Sequence, residues 1–600
     1  MNRSDFLPVS TEDLVARGYL SSIKDFDPSK SYLDVIIITG DAYVDHPSFG
    51  AAIIGRWIEH LGYRVGIISQ PDWKNSSSLA HLGRPALFAA VTAGNLDSML
   101  HHYTATIKLR HDDPYTPGGK HGARPNRATI VYAGLCRQIW KNILVIAGGI
   151  EVSGRLISHY DYWSDSIKGS ILADSKVDML IYGNAETQLK ELLKVVERHH
   201  GSRKSVITDN SFKEIPGTAV FDQINESGIE LPPLERCVSD KEEFVRAFNV
   251  FYKNQNPWTG RILWQKHLSR WVRINPPAAP IDTDMLDEIY SLPFSRTQHI
   301  DYQQKVPALE TVRWSITIHR GCFGGCHFCS IYVNQGGIIQ SRSKNSIIRE
   351  VEILTKIPEF KGVITDLGGP SANMYKMGCK NDGKMKGCSR KGCLMPKPCK
   401  FLDKDHSQLL DLYTAVSNVP GVKRVFIASG IRFDLCIDDD TYISQLLEEH
   451  VGGLLKIAPE HTEDDVLRLM NKPQNHVFLS FLKKFRKYRK NNQFLVPYVM
   501  SSHPGCTFSF MINASRFLKK EKLMVEQAQD FIPLPSTVSS VMFYTGVHPF
   551  TGEKLFVERT PAGKLKQRYT LVPPRNSAKA VRRGKKTGKD VTKKTPGNRT

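Results

Sequence analysis

Long apolar runs are missing from this sequence. No stretch of the 600 residues reaches the ~18 consecutive apolar residues that cross a bilayer, and Met1 to Ser10 carries no basic stretch followed by an apolar one. A cytoplasmic protein without a membrane partner is therefore expected. Cysteine is scarce outside one region: seven of the eleven lie between Cys322 and Cys399. A disulfide framework would be spread along the chain, so the clustering excludes one and suits metal sites in a reducing compartment. Acidic residues are in deficit, 60 against 81 Lys and Arg, for a net charge of +21. From Arg575 to Thr600 ten basic residues face only Asp590, which puts +9 in the tail and leaves +12 elsewhere. The tail, 575–600, is poor in apolar residues and is expected to be disordered. Such arms bind RNA or DNA by neutralising phosphates, and they also occur simply solvated. Otherwise 41% apolar and 24% charged residues describe an ordinary globular chain. Its length exceeds one hydrophobic core, so two to four domains are expected.

What is present centres on Arg320-Gly-Cys322-Phe-Gly-Gly-Cys326-His-Phe-Cys329, which follows the strand-like run Val312 to Ile318. Three cysteines spaced C-x3-C-x2-C on a loop leaving a strand can hold three irons of a 4Fe-4S cubane and leave the fourth open. An open metal position is the mark of a catalytic centre, because substrate can coordinate there. A zinc site or three reduced thiols is the plainer alternative. The spacing, with an aromatic before the last cysteine, resembles the radical S-adenosylmethionine (radical SAM) superfamily. That resemblance implies that the open iron chelates the methionyl group of S-adenosylmethionine, whose reductive cleavage gives a 5'-deoxyadenosyl radical.

The overall expectation is an α/β chain. An N-terminal doubly wound, Rossmann-like sheet, similar to cobalamin-binding domains, precedes a partial (β/α) barrel that forms the radical SAM core and a small C-terminal extension. Asp34 to Thr39 is a continuous β-branched run, the pattern of a strand covered on both faces. Helix and strand signals then alternate, with strands expected at Val65 to Ser69, Ala86 to Val91, Ile143 to Ala147 and Met179 to Tyr182. Residues 1–200 thus read as the doubly wound domain, with ligand loops at 41–50, 148–151 and 183–186. Cobalamin domains carry Asp-x-His-x-x-Gly, whereas here Asp45 abuts His46 and Gly50 lies four steps on. Cobalamin is accordingly not expected, and His46 reads as a hydrogen-bonded loop residue. Residues 201–305, broken by proline clusters, read as an irregular connector.

The barrel is expected over 306–530, with strands Gly362 to Asp366, Arg424 to Ile427 and Gly453 to Ile457, a Cys-rich insertion at 376–400 and a cap at 531–574. Gly368-Gly369-Pro370 is similar to the superfamily's Gly-Gly-Glu. The resemblance gives Gly368 and Gly369 a main-chain role toward the methionyl ammonium, with the glutamate replaced by proline. It likewise points Ser429 and Arg432 at the carboxylate and ribose of S-adenosylmethionine; an ion pair with Asp434 is the other reading of Arg432. Together with Gly148-Gly149-Ile-Glu151, Ala458-Pro459-Glu460-His461 and Gln529-Asp530-Phe-x-Pro533, these motifs resemble the YgiQ family of radical SAM proteins over residues 30–574. The resemblance implies an external reductant of flavodoxin or ferredoxin type and leaves the substrate open.

A second set, Cys379-x8-Cys388-x4-Cys393-x5-Cys399, lies in a Lys-, Gly- and Pro-rich segment. Four thiolates there can close a zinc site, hold an auxiliary Fe-S cluster, or stay unligated. The functional expectation is a radical SAM enzyme, with RNA modification one candidate reaction. A metal-stabilised RNA-binding or scaffold protein is the alternative.

Overall fold

A computed structural model describes residues 2–525 and 528–573; the basic tail lies outside them. The N-terminal half is built on a nine-stranded sheet. Its strands are β1 (Val35–Thr39), β2 (Val65–Ser69), β3 (Phe88–Thr92), β4 (Leu144–Gly148), β5 (Met179–Ile181), β6 (Thr218–Asp222), β7 (Gly228–Leu231), β8 (Ile262–His267) and β9 (Arg270–Ile274), ordered β7-β8-β9-β6-β5-β4-β3-β1-β2. From β2 to β5 the pairing is parallel, with Ile36 beside Gly66 on one side and Ala89 on the other. Every residue of β1 is buried, because helices cover both faces. Ile36 and Ile38 pack with α2 (Ala128–Ile139), while Val35 and Ile37 pack with α1 (Gly50–His60) and α3 (Glu186–Arg198). This alternation across a sheet buried on two sides explains the unbroken apolar run.

The stretch expected as an irregular connector extends this sheet. Strand β6 runs antiparallel to β5, β9 pairs with β6, and the β8-β9 hairpin turns at Leu268. The misreading has a physical source: Arg270, Trp271 and Lys266 break the apolar runs because these strands are partly exposed.

The second half is an open wall of parallel strands: β10 (Ser315–Thr317), β11 (Val363–Ile364), β12 (Asp366–Gly368), β13 (Arg424–Val425), β14 (Leu454–Glu460), β15 (Phe494–Ser501) and β16 (Ala528–Asp530). β10 pairs with β12, β11 with β13, and β14-β15-β16 form one sheet; the bridge Ile431 to Ile457 joins the two parts. Helices α5 (Lys344–Thr355), α6 (Ser407–Ser417) and α7 (Asn475–Tyr488) cover the wall with Val351, Leu412, Phe481 and their neighbours. Residues 541–545, a β-branched and aromatic run within the expected cap that by composition favours a strand, belong to α9 (Val538–Thr545), which follows α8 (Phe508–Lys520). The Thr537 side chain caps α9 at the Ser540 N–H, and its β-branched residues are buried by tertiary packing, which overrides their strand preference.

Candidate active site

The cysteine loop leaves the wall after β10 through a short ribbon in which His319–Arg320 pairs with Gln340–Ser341. Gly321 has φ +83, and a Cβ there would sit 2.1 Å from the Ile338 carbonyl oxygen, so only glycine fits. The loop is then held by main-chain partners. The Cys322 N–H donates to Gly336, the Cys329 N–H to Cys326, and the His327 N–H to Met470. Asn471 Nδ2 donates to the Gly325 carbonyl at 2.8 Å. After Cys329 the chain enters the short helix α4 (Ser330–Gln335).

Burial raises the Cys329 thiol to about 12 and also raises Cys322, where Arg432 works against it. Arg432 is buried. Its Nε and Nη2 fork Asp434 at 2.9 and 2.7 Å, and Nη1 lies 3.3 Å from Cys326 Sγ. Asn373 fixes the Arg432 main chain from both sides, accepting from its N–H at 2.8 Å and donating to its carbonyl at 3.1 Å. Sequence reasoning missed Asn373, because its reciprocal pair with a residue 59 positions away leaves no local signal.

The other expected residues lie together around the same loop. The Gly368 carbonyl accepts from the Ile318 N–H at the end of β12. A Cβ on Gly368 would meet Ser429 Oγ at 2.9 Å, and one on Gly369 would meet the His319 ring at 2.6 Å. Ser429 is tied to Asp366 by its hydroxyl and its N–H, so the free structure commits that hydroxyl internally. Arg432 realises the Asp434 ion pair as a buried one and adds contact with Cys326 Sγ. Glu460 has φ +68, and burial raises its carboxyl, opposed by Lys472 and Arg432.

The donor set fits a multi-iron cluster. Among the described residues, the group offering three ligand atoms within 4.8 Å of one another is Asp13, His299 and Asp301, and there Arg3 already pairs with both carboxylates. The three thiols of the loop do not all lie within that distance of one another, whereas the thiolates of one tetrahedral zinc are about 3.8 Å apart for Zn–S bonds of about 2.3 Å.

The N-terminal sheet closes the site from the other side. The helix after β4, Ile150–Ser153, touches α4 through Ser153 Oγ and Asn334 Oδ1 at 2.7 Å. Glu186, in the third expected ligand loop, pairs with Arg320 at 2.6 Å, both side chains buried. Between the two halves lies a cleft lined by Asp97, Leu100, Ile150, Arg155, Val333 and Pro535. It adjoins a smaller one at Cys326, Cys329, Tyr332 and Thr537, and Val333 lines both. His46 is not at this cleft: it is buried, with the Ser48 N–H at 3.0 Å from Nδ1 and Arg296 Nη1 at 3.1 Å from Nε2.

Comparison with known proteins comes down on the same side. The Radical SAM N-terminal family model matches residues 6–315, just over half of the chain. A UPF0313 protein of Methanocella arvoryzae is 47% identical over 531 residues, 88% of each chain. One of Clostridium botulinum is 44% identical over 581 residues, 95% of this chain and 87% of the relative. One of Geobacter sulfurreducens is 44% identical over 574 residues, 94% and 92%. Among solved structures, the radical S-adenosylmethionine methyltransferase TsrM of Kitasatospora setae, with cobalamin and a [4Fe-4S] cluster bound, shares 12% identity at a TM-score of 0.46, over 86% of this chain and 75% of that one. The cobalamin-dependent radical enzyme OxsB, with aqua-cobalamin bound, shares 9% at 0.46, over 92% and 62%. Since both of those structures hold cobalamin, the expectation of a chain without it gains no support from them. With relatives this similar over nearly their whole lengths, the chain belongs to the UPF0313, or YgiQ, family of radical SAM proteins.

Proposed function

We propose that the chain is a radical SAM enzyme whose 4Fe-4S cluster is held by Cys322, Cys326 and Cys329. The observation that carries this reading is the loop itself: three thiols on a glycine-dependent turn at the end of a parallel-strand wall, one of them under the Arg432 guanidinium. Bound there, the cluster and S-adenosylmethionine supply a one-electron cleavage of the sulfonium to the 5'-deoxyadenosyl radical. The chain's own residues bind and shield. Arg432 Nη1, 3.3 Å from Cys326 Sγ, offers that sulfur a charged hydrogen-bond donor. Gly368 and Gly369 leave main chain open to the methionyl group, and Ser429 and Arg432 line the same face. The loops of the N-terminal sheet provide the opposite wall of a cleft in which a hydrogen-bearing substrate is held away from water.

The electron comes from an external flavodoxin- or ferredoxin-like donor in a reducing cytoplasm, in keeping with eleven free cysteines. RNA is the substrate class that the net charge of +21 favours. Deleting 579–594 is expected to weaken RNA binding and flatten its salt dependence; unchanged binding removes RNA from the reading. The enzyme reading is tested by anaerobic reconstitution with iron and sulfide, dithionite reduction with S-adenosylmethionine, and assay for 5'-deoxyadenosine. Wild type should form the nucleoside and Cys326→Ala should not. A protein that takes up no iron and retains one zinc per chain would instead be the metal-stabilised scaffold.

A further inference from the structure

The insertion between β12 and α6 contains four cysteines that the first site does not use. Its side chains cannot hold it in place. From Cys379 to Lys400, Leu394 is the one buried side chain among the described residues. The ends are clamped by main-chain bonds, Lys380 N–H to Phe401 at 2.7 Å and Asp403 N–H to Gly378 at 2.8 Å, and the middle by Cys399 N–H to Cys393 at 2.8 Å. A coreless loop of this length is uncommon in a compact domain, because the entropy of ordering it goes uncompensated. Metal ligation is a way to supply that free energy.

The cysteines converge. The Cys379 main chain bridges to Leu402, three residues past Cys399, Cys393 and Cys399 pack against one apolar cluster, and Cys388 lies on the loop between Cys379 and Cys393. The loop also packs on the first site: the Cys393 N–H donates to the Phe323 carbonyl at 2.9 Å, between Cys322 and Cys326. A small apolar cluster of Phe323, Met374, Met377, Leu394, Leu402 and Leu435 has Cys322, Cys393 and Cys399 packed against it together. Lys384, Lys386, Arg390 and Lys391 are interleaved with the four thiols and suit a centre of net negative charge.

We propose that Cys379, Cys388, Cys393 and Cys399 hold a second iron–sulfur cluster, a fully ligated 4Fe-4S cubane adjoining the first. Each thiol gives up one proton on ligation. The choice of a cluster over zinc rests on spacing. No three of these thiols lie within 4.8 Å of one another among the described residues, whereas a single zinc draws its thiolates to about 3.8 Å and a cubane holds one at each of four separate corners. With no open iron, this centre anchors the loop and does not bind S-adenosylmethionine.

The proposal is independent of the reading of the first site, and the experiment separates them. Wild type, the triple variant Cys322→Ala/Cys326→Ala/Cys329→Ala and the double variant Cys379→Ser/Cys388→Ser are reconstituted anaerobically and analysed for iron, sulfide and zinc. Cys388 is exposed and Cys379 half-buried, so the double variant spares the apolar cluster. About eight irons are expected in wild type and about four in either variant. About four in wild type with none in the triple variant, or one zinc per chain in place of the second four irons, overturns the proposal. Limited trypsin digestion of the triple variant gives a second readout. Iron-loaded protein should resist cleavage at Lys384, Lys386 and Lys391, and a metal-free sample should not; equal cleavage counts against the cluster.

Discussion

At Arg432 a guanidinium, a carboxylate and a thiol share one buried site. Removing the cation strands the Asp434 carboxylate, whose side chain is 9% exposed. Arg432→Met is therefore expected to lower stability by about 3–5 kcal/mol, read as a shift of the denaturant midpoint at constant slope. Gly369 offers a sharper test of how a family-like motif should be understood. Its Cβ would meet the buried His319 ring, so Gly369→Ala should cost about 1–3 kcal/mol by overpacking. A double variant with His319→Ala should recover most of that loss; no recovery would mean that the glycine answers to something other than this packing. Cysteine spacing and the glycine pair were legible because their signal is local. The Asp434 partner of Arg432 was legible for the same reason, but Asn373, in the turn after β12, and Asp366, on β12, were not, since they lie 59 and 63 positions from the residues they hold and carry no spacing of their own.

Among elements, the hairpin joining His159–Asp161 to Ser166–Lys168 is tied to the start of α2 by Asp161, which accepts from Arg127 at 3.0 and 2.7 Å and from Ser164. Burial pushes the Asp161 carboxyl up, but Arg127 and Ser164 outweigh it and bring it down to about 2. A depressed folded-state pKa adds stability that is present above the unfolded value of about 4 and lost as pH falls toward 2. Asp161→Asn should thus remove part of the acid-induced loss between about pH 4 and pH 2, on the order of 2 kcal/mol, as measured by urea midpoints across that range. A second element, α9, depends on its cap: Thr537→Ala should cost about 1 kcal/mol in thermal unfolding. The strongly patterned elements, β1 and its parallel neighbours, are readable because burial on both faces writes an unbroken apolar run. Strands β8 and β9 and helix α9 escape reading because exposure in one case and tertiary burial in the other blur their periodicity.

Across the whole molecule, the two halves meet through charged pairs beside the cysteine loop. Arg320, two residues before Cys322, reaches α3 at Glu186, and Arg296 reaches α5 at Glu350. Glu186→Gln leaves the buried Arg320 without its counter-charge. It should cost about 3–5 kcal/mol and lower the iron retained after reconstitution, whereas a variant in the exposed pair Lys194–Glu191 should change neither. By itself, the sequence determined the α/β class, the parallel sheet of the first half, the cysteine loop and its family, because each of these is written in local periodicity or spacing. Only the tertiary structure decided that residues 218–274 complete the first sheet, that Asn373 and Asp366 govern Arg432 and Ser429, and that the second cysteine set rests on the first. Those depend on contacts between residues tens to hundreds of positions apart, where packing and desolvation, rather than sequence distance, choose the neighbour.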